Sequence, residues 1–102
     1  MLALSAFVTT FNNEATLDEC LSSVSWADEI VLLDSFSTDA TLEIAQRHNC
    51  RVYQQEFRGY GPQKQDALNH TRNRWVLLLD ADEALTPAAQ LCIQDLLESQ
   101  PA

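Results

Sequence analysis

The sequence has 102 residues, 46% of them hydrophobic, a composition typical of one folded domain with a modest core. Its 15 acidic residues against 6 Lys and Arg give a formal net charge of −9, which argues against a general nucleic-acid binder and against an autonomous anchor to anionic lipid. No apolar run is long enough to cross a bilayer, and the N-terminus lacks the basic region and length of a signal peptide. We therefore expect a soluble cytoplasmic protein.

The first half of the chain alternates between strand and helix patterns. Residues 4–9 are apolar and β-prone, which predicts a first strand, and Asn12 or Asn13 is a suitable N-cap for the helix that follows. A second strand is predicted over Glu29–Asp34 and a second helix over residues 41–48, with Asn49 as its C-cap. The first helix is indicated by apolar residues at helical spacing: Leu17, Cys20, Leu21 and Val24.

The second half continues the alternation. A third strand is predicted over residues 51–54, and Pro62 is suited to the first position of a helix that runs to about Asn69. After a fourth strand, Thr86 is the expected N-cap and Pro87 the first residue of a last helix. The buried positions expected in that helix are Leu91, Cys92, Leu96 and Leu97. This order predicts an α/β fold: a Rossmann-like parallel sheet of about four strands with helices on both faces, in one domain over residues 1–102.

The three cysteines, Cys20, Cys50 and Cys92, form no CxxC pair and no zinc-binding spacing. Each lies in or beside an apolar pattern, so we expect buried, reduced thiols and a reducing compartment. His48 and His70 are isolated from one another and from the cysteines, so no zinc site is expected.

The fourth predicted strand carries the strongest signal in the sequence. Residues 75–79 are continuously apolar, which predicts a strand buried in the middle of the sheet, and Asp80, Asp82 and Glu83 follow at once. Ligands of open α/β sheets bind just outside the carboxyl ends of such strands. A strand period of two aims Asp80 and Asp82 to the same side, where two carboxylates suit a hard divalent cation and a phosphorylated ligand. The alternative, that these acids only mark where a buried strand meets water, stays open at this point.

Three further segments are expected at the same edge of the sheet: residues 9–12, residues 34–39 and the loop 59–64. Asp34 is a candidate acceptor of hydrogen bonds from a uracil-like base or a ribose hydroxyl. Asp82, with Asp80, is a candidate ligand of Mg²⁺ or Mn²⁺ bridging a diphosphate. Lys64 is a candidate contact to a phosphate, with a solvated helix residue as the alternative. No GxGxxG and no GxxxxGK[ST] motif occurs, which disfavours a dinucleotide-binding enzyme and a P-loop NTPase.

Several short motifs lie in order along the predicted strand ends. They are Thr10-Phe11-Asn12, Trp26-Ala27-Asp28-Glu29-Ile30, Asp34-Ser35-Phe36-Ser37-Thr38-Asp39-Ala40-Thr41, Gln63-Lys64 and Asp80-Ala81-Asp82-Glu83. Together they resemble the inverting family 2 of glycosyltransferases, most of all its bacterial branch that adds glucose to the inner core of lipopolysaccharide. Each motif is weak alone, but their order makes the resemblance strong, and it covers nearly the whole chain.

The resemblance implies a GT-A fold, with this chain as its nucleotide-binding half, a nucleotide-sugar donor expected to be UDP-glucose, and Mg²⁺ or Mn²⁺ at the DXD motif. Carried across by position, Thr10 and Phe11 would line the nucleotide pocket and Asp34 would contact the base or ribose. Asp80 would lie near the donor sugar or ribose, with Asp82 on the metal. The general base that such enzymes usually carry has no matching position here, so the resemblance predicts a donor-binding domain that is truncated relative to the family and leaves the catalytic residue unknown.

The segment 34–41 follows the family's DSGSTD pattern with one departure. Phe36 stands where glycine is common, which predicts a loop shape less comfortable for a large side chain. Asp39, with Ser37 and Thr38, is expected to organise this loop and the start of the following helix.

The partners that the resemblance implies are a nucleotide sugar and a saccharide or glycolipid acceptor such as lipopolysaccharide core, with no nucleic acid. Peripheral association with the inner face of the cytoplasmic membrane, through the acceptor, and a homodimer are further options that the sequence leaves open. Two alternative functions also stay open: an interaction or dimerisation domain that kept the fold and lost activity, and a Mg²⁺-dependent phosphotransfer domain of the phosphatase or receiver type.

Overall fold

The computed structural model describes residues 3–99, which form alternating strands and helices. The strands are β1 (Leu4–Thr10), β2 (Glu29–Asp34), β3 (Arg51–Gln54) and β4 (Trp75–Asp80), and the helices are α1 (Leu17–Ser23), α2 (Thr41–Arg47), α3 (Tyr60–His70) and α4 (Pro87–Ser99). All neighbouring strands are parallel, and their order across the sheet is β3-β2-β1-β4. The predicted α/β fold with a parallel four-stranded sheet is confirmed.

Helices cover both faces of the sheet, as predicted. Strand alternation sends neighbouring side chains of β1 to opposite faces. On one face, α1 and α2 contribute to a buried cluster that includes Val8, Leu17, Leu21, Leu32 and Ala45. On the other face, Ala67 of α3 packs with Phe7, Val31 and Leu33. The core therefore lies on both sides of β1 and β2, which are the two central strands.

The register of β1 determines which strand ends meet. Thr10 pairs with Asp34 of β2, and Thr9 pairs with Asp80 of β4. Because the strands are parallel, all of these residues lie at the carboxyl ends of their strands and at one edge of the sheet. The polar segments that the sequence placed at this edge are therefore neighbours in the structure.

The predicted ends of α1, α2 and α3 differ from those in the structure. α1 begins at Leu17 with Thr16 at the N-cap, rather than after Asn12 or Asn13. The carbonyl of Asn13 accepts the N–H groups of Thr16 (3.1 Å) and Leu17 (2.9 Å), so a turn precedes the helix and delays its start. The C-cap of α2 is His48 rather than Asn49.

α3 begins at Tyr60, so Pro62 is its third residue rather than its first. The N–H of Gln63 donates to the carbonyl of Gly59 (3.2 Å), so the proline still occupies the first turn, where no N–H needs an intrahelical acceptor. No helix within residues 3–99 combines the length and the apolar character needed to cross a membrane.

The position of β4 differs from the prediction. A continuous apolar run predicted a strand in the middle of the sheet, but within residues 3–99 β4 pairs only with β1 and forms an edge. Trp75 and Leu78 are 42% and 45% exposed. An apolar run indicates that a strand favours burial, but it does not indicate whether a neighbouring strand is present on each side.

The burial of α4 also differs from the prediction. Of its four expected buried positions, Leu97 is buried, whereas Leu91, Cys92 and Leu96 are exposed. The helical spacing gave the correct element, but α4 buries fewer of its apolar residues than the sequence suggested.

The cysteines differ in their surroundings. All three are free; Cys20 is buried, Cys50 is half-buried and Cys92 is exposed, so the prediction of buried thiols is wrong for Cys92. Burial raises the pKa of the Cys20 thiol to about 11 and also raises the pKa of Cys50. Both thiols are therefore protonated at neutral pH.

Candidate functional site

A cleft of about 570 Å³ opens at the carboxyl ends of the strands. We call it the main cleft. Its walls come from the loop after β1 (Thr10 and Phe11), the loop after β2 (Ser35), the start of α3 (Tyr60) and the turn after β4 (Asp82). The four βα connections that the sequence placed at one edge thus enclose a single concave surface, which is where parallel α/β sheets bind ligands.

Exposed aromatic side chains stand at the rim of the main cleft. Phe11, Phe57 and Tyr60 all line it, and each exposes more than half of its surface. Phe57 and Tyr60 pack edge to face, with ring centroids 5.4 Å apart. Exposed rings of this kind offer apolar faces to a planar group of a ligand.

Opposite this rim lies the acidic cluster, which consists of Asp80, Asp82 and Glu83. Carboxylate oxygens of the three residues lie within 4.8 Å of one another, and all three side chains are exposed. That spacing fits oxygen atoms that share one hard divalent cation at metal–oxygen distances of about 2.0–2.6 Å. The predicted Asp80–Asp82 pair is thus brought together, and Glu83, to which the sequence assigned no role, joins it.

Local hydrogen bonds fix the shape of the acidic cluster. Thr9 Oγ1 donates to Asp80 Oδ1 (2.9 Å), which ties the end of β4 to β1. The N–H of Asp80 donates to Glu83 Oε1 (2.8 Å), and the N–H of Glu83 donates back to the carbonyl of Asp80 (2.9 Å). These reciprocal bonds fix Asp80 and Glu83 relative to one another at the end of the strand, while their side chains stay exposed.

Residues at the start of α1 and within it contact the backbone of the turn after β4. Thr16 Oγ1 donates to the carbonyl of Ala81 (2.8 Å), and Cys20 Sγ lies 3.8 Å from the carbonyl oxygen of Asp80. The pKa of Cys20 is raised by burial first and then by the charges of Glu83, Asp82 and Asp80. The three carboxylates thus act on this thiol in the same direction as its burial.

Asp34 does not line the main cleft. Its carboxylate is fully buried and accepts hydrogen bonds from the N–H of Ser37 (2.9 Å), the hydroxyl of Ser37 and Nε2 of Gln54 (3.2 Å). The next residue, Ser35, takes the place at the cleft wall. The structure thus places Asp34 beneath the loop that follows β2, with its oxygen atoms already paired.

The loops after β1 and β2 are joined by a pair of hydrogen bonds, which we call the loop clasp. The N–H of Asn12 donates to Ser37 Oγ (2.8 Å), and the N–H of Thr38 donates to Asn12 Oδ1 (2.8 Å). Asn12 has φ 52° and Phe36 has φ 63°, the left-handed region that favours glycine. The strain that the sequence predicted for Phe36 is thus present, and the clasp holds the loop in that shape.

Asp39 reinforces the loop clasp, as expected. It accepts hydrogen bonds from the N–H of Glu14 (3.2 Å) and from the N–H (2.9 Å) and hydroxyl of Thr41 at the start of α2. The hydrogen bond from the Thr41 hydroxyl is the main cause that lowers the pKa of Asp39. The carboxylate therefore stays ionised and links two loops to a helix start.

Lys64 lies apart from the main cleft. It lines a second cavity of about 200 Å³, the side cavity, whose floor includes Phe7 and Leu78. The side cavity and the main cleft share Thr9, Tyr60, Gln63 and Asp80. Of the predicted site residues, the main cleft thus collects Thr10, Phe11, Asp80 and Asp82, while Lys64 faces the other side of Asp80.

Sequence reasoning placed the segments that contain Ser35, Tyr60 and Glu83 at this edge but assigned no role to these three residues. Ser35 and Glu83 carried a usable signal, because each directly follows a predicted strand end or an acid of the same run. Tyr60 lies in the loop 59–64 that was expected at this edge, but the sequence did not indicate that α3 begins at this residue and that its ring lines the main cleft.

The model of the glycosyl transferase family 2 matches residues 5–100 of the chain. Among curated relatives, the lipopolysaccharide core biosynthesis glycosyltransferase LpsC of Rhizobium meliloti is 39% identical over 94% of this chain and 37% of that protein. An uncharacterised glycosyltransferase of Rickettsia bellii is 38% identical over 95% of this chain and 33% of that protein. The chain thus spans about a third of the length of these relatives.

Solved structures agree with the sequence matches. A crystal structure of TarS from Staphylococcus aureus superposes with a TM-score of 0.78 at 28% identity, covering 95% of this chain and 32% of that one. The glucosyl-3-phosphoglycerate synthase of Mycobacterium tuberculosis, crystallised with Mn²⁺, UDP and glucosyl-3-phosphoglycerate, gives a TM-score of 0.69 at 25% identity, covering 81% of this chain and 36% of that one. The chain therefore has the expected fold of GT-A glycosyltransferases, and it belongs to glycosyl transferase family 2.

Proposed function

We propose that this chain is the donor-binding domain of a glycosyltransferase that uses a nucleotide sugar, and that this donor is UDP-glucose. The observation that carries the proposal is the acidic cluster facing an aromatic-rimmed cleft at the carboxyl ends of parallel strands. The choice of UDP is supported by the synthase crystallised with UDP and Mn²⁺. The family match favours this function over the phosphotransfer alternative.

We assign the nucleotide to the main cleft. Phe11 offers an exposed ring to the base, while Thr10 and Ser35 line the wall beside it. Asp34 is buried with its oxygen atoms paired to Ser37 and Gln54, so we assign it the role of positioning the loop that carries Ser35, in place of direct contact with the base or ribose.

We assign a divalent cation, Mg²⁺ or Mn²⁺, to Asp82 and Asp80, with Glu83 beside them. When bound, such an ion would neutralise the charge of a diphosphate and of its leaving group. The three carboxylates make no ion pair with Lys or Arg in the part of the chain that the structure describes, so their charge is available to a cation. Lys64, in the side cavity, is proposed to contact the donor phosphates from the other side of Asp80.

We propose a saccharide or glycolipid acceptor of the lipopolysaccharide-core type, reached at the inner face of the cytoplasmic membrane. The name of the Rhizobium meliloti relative supports this acceptor class. We assign the general base to no residue of the chain, and we treat residues 1–102 as a single donor-binding domain within the proposed activity.

The test is calorimetric titration of UDP and UDP-glucose into the purified chain, with and without Mn²⁺. We expect binding that strengthens with Mn²⁺, and we expect Asp82→Asn to weaken the Mn²⁺-dependent binding at least tenfold, about 1.4 kcal/mol. Asp95→Asn, which removes an exposed acid of α4 that does not line the main cleft, is the matched control and should bind as the wild type does. Equal binding by all three proteins, or none by folded wild type, would contradict the proposal.

A further inference from the structure

We propose that Asp66 of α3 is a positioning residue, which holds residues 55–59 in place so that Phe57 can contact the base of the donor nucleotide. We call residues 55–59 the rim loop. Asp66 itself does not line the main cleft, and its role rests on the proposed function of that cleft. The observations that support this role are the burial of Asp66, its hydrogen bonds and the place of Phe57 in the sheet.

Asp66 is a buried acid in the interior of a helix. The residue is 8% exposed, and it lies in the middle of α3, which spans Tyr60–His70. Aspartate is a poor helix former away from the first turn, and a buried carboxylate is costly unless it is paired. Neither helix formation nor core packing therefore accounts for an acid at this position, so its polar contacts must stabilise it there.

Both oxygen atoms of the Asp66 carboxylate accept hydrogen bonds from the rim loop. Gln55 Nε2 donates to Oδ2 (3.1 Å), and Arg58 Nη2 lies 3.3 Å from Oδ1 and 3.4 Å from Oδ2. These two donors flank the pair of loop residues that line the main cleft, Glu56 and Phe57. Asp66 therefore holds the rim loop on both sides of its cleft-lining residues.

Further contacts restrict the rim loop at its two ends. The N–H of Gln55 donates to the carbonyl of Asp34 at the end of β2 (3.0 Å), and Phe57 packs edge to face on Tyr60. Gly59 has φ 109°, which lets the chain turn directly from the loop into α3. Phe57 is thus held between the sheet and the first turn of α3, although 54% of its surface is exposed. A large exposed ring that is held in one place suits contact with a planar base.

The strand order places the rim loop and the acidic cluster on opposite sides of the main cleft. The rim loop follows β3, the acidic cluster follows β4, and β2 and β1 lie between these strands. The distance across the sheet is three strand spacings, about 14 Å in all. A diphosphate bound through a cation at the acidic cluster therefore has room for its nucleoside on the side of the rim loop. Phe11 and Phe57 then offer their rings to the same base.

Calorimetric titration of UDP in the presence of Mn²⁺ tests this role. Asp66→Asn keeps the size of the side chain but removes the charge that Arg58 faces, and we expect it to weaken UDP binding about tenfold. Binding of inorganic diphosphate with Mn²⁺ should stay unchanged, whereas a general loss of structure would weaken the binding of both ligands. Asn69→Ala, which removes an exposed hydrogen-bond acceptor of the same helix, is the matched control and should bind UDP as the wild type does.

A double-mutant cycle with Phe57 distinguishes positioning of the ring from a general loss of stability. Phe57→Ala should weaken UDP binding about tenfold or more, because base stacking is lost. Asp66→Asn in that background should cause no further loss, because the ring that Asp66 positions is absent. An equal loss in both backgrounds, or unchanged UDP binding by Asp66→Asn, would overturn the positioning role alone. Absence of UDP binding by the folded wild type would overturn the proposed function, and the role of Asp66 with it.

The hold of Asp66 on the rim loop has a test that needs no ligand. Trypsin cleaves after arginine, and Arg58 lies within the loop, so cleavage there depends on how often the loop opens. Asp66→Asn should be cleaved after Arg58 several times faster than the wild type and than the control Asn69→Ala. Equal rates in the three folded proteins would show that Asp66 does not hold the loop.

Discussion

The two ends of the sheet treat acidic residues in opposite ways. At the amino end, Glu29 is 11% exposed and accepts hydrogen bonds from Ser5 Oγ (2.8 Å), the N–H of Arg72 (2.8 Å) and the guanidinium of Arg51. At the carboxyl end, the acidic cluster is exposed and has no Lys or Arg ion pair within residues 3–99. Glu29 thus holds strands together at the amino end, whereas the acidic cluster at the carboxyl end is exposed and has no basic partner among the described residues.

We expect the largest effect on the free energy of unfolding from a substitution of Asp34. This residue sharpens the comparison because it lies at the carboxyl end of the sheet, yet its carboxylate is paired as that of Glu29 is. Asp34→Ala should lower the free energy of unfolding by about 3 kcal/mol, since it removes a buried carboxylate that accepts hydrogen bonds from the half-buried Ser37 and the exposed Gln54. Ser35→Ala, at the cleft wall, should change stability by less than about 0.5 kcal/mol. Urea denaturation measures both.

UDP binding by Asp34→Ala shows whether Asp34 positions the loop after β2 or contacts the nucleotide itself. Asp34→Ala should weaken UDP binding to a similar degree with and without Mn²⁺, because it loosens the loop and leaves the acidic cluster unchanged. A variant of normal stability that has lost UDP binding would instead return Asp34 to direct contact with the nucleotide.

Glu29 tests the other end of the comparison. Glu29→Gln should lower the free energy of unfolding by about 2 kcal/mol, because it keeps the shape but removes the charge that Arg51 and Arg72 face. Asp82→Asn, the equivalent change in the acidic cluster, should leave stability unchanged or raise it slightly by relieving repulsion. If both variants lose stability equally, the two ends do not differ as described.

The pH dependence of stability should show the same contribution. Burial raises the pKa of Glu29, but the bonds from Arg72, Ser5 and Arg51 outweigh burial and lower it below its ordinary value. Its contribution is therefore complete above the unfolded carboxyl pKa of about 4.3 and is lost as the pH falls through the lower folded value. The stability difference between wild type and Glu29→Gln should shrink from pH 7 to pH 3, and a constant difference would contradict this account.

The smallest expected effect concerns backbone strain, which also differs between the ends. Phe36→Gly should raise the free energy of unfolding by about 0.5–1 kcal/mol, because glycine adopts φ 63° without the cost that a phenylalanine carries. Asn49, near the amino end of β3, has φ 57°, and Asn49→Gly should gain less because asparagine tolerates this region. Thermal unfolding compares the two gains.

Local patterns in the sequence predicted the elements well. β2 and β3 have the predicted bounds, because in each a short β-prone run ends at a polar residue. The meeting of Asp80 and Asp82 near Phe11 followed from parallel topology alone. These features depend on neighbours along the chain and on one rule of topology.

The failures concern information that no local pattern holds. The position of β4 at the edge of the described sheet depends on which strands are present beside it. The start of α1 at Leu17 depends on a turn closed by the carbonyl of Asn13. Each of these contacts decides between structures that the sequence pattern permits equally.

The central place of β1 has a consequence for how the chain folds. β1 and β2 can meet early, but the hydrogen bond from Thr9 to Asp80 spans 71 residues of sequence. Closing so long a loop is slow relative to local pairing, and parallel strands require such closures. The acidic cluster takes its shape only when β4 docks on β1, so we expect cation binding to appear in the last kinetic phase of refolding, together with the completion of the sheet.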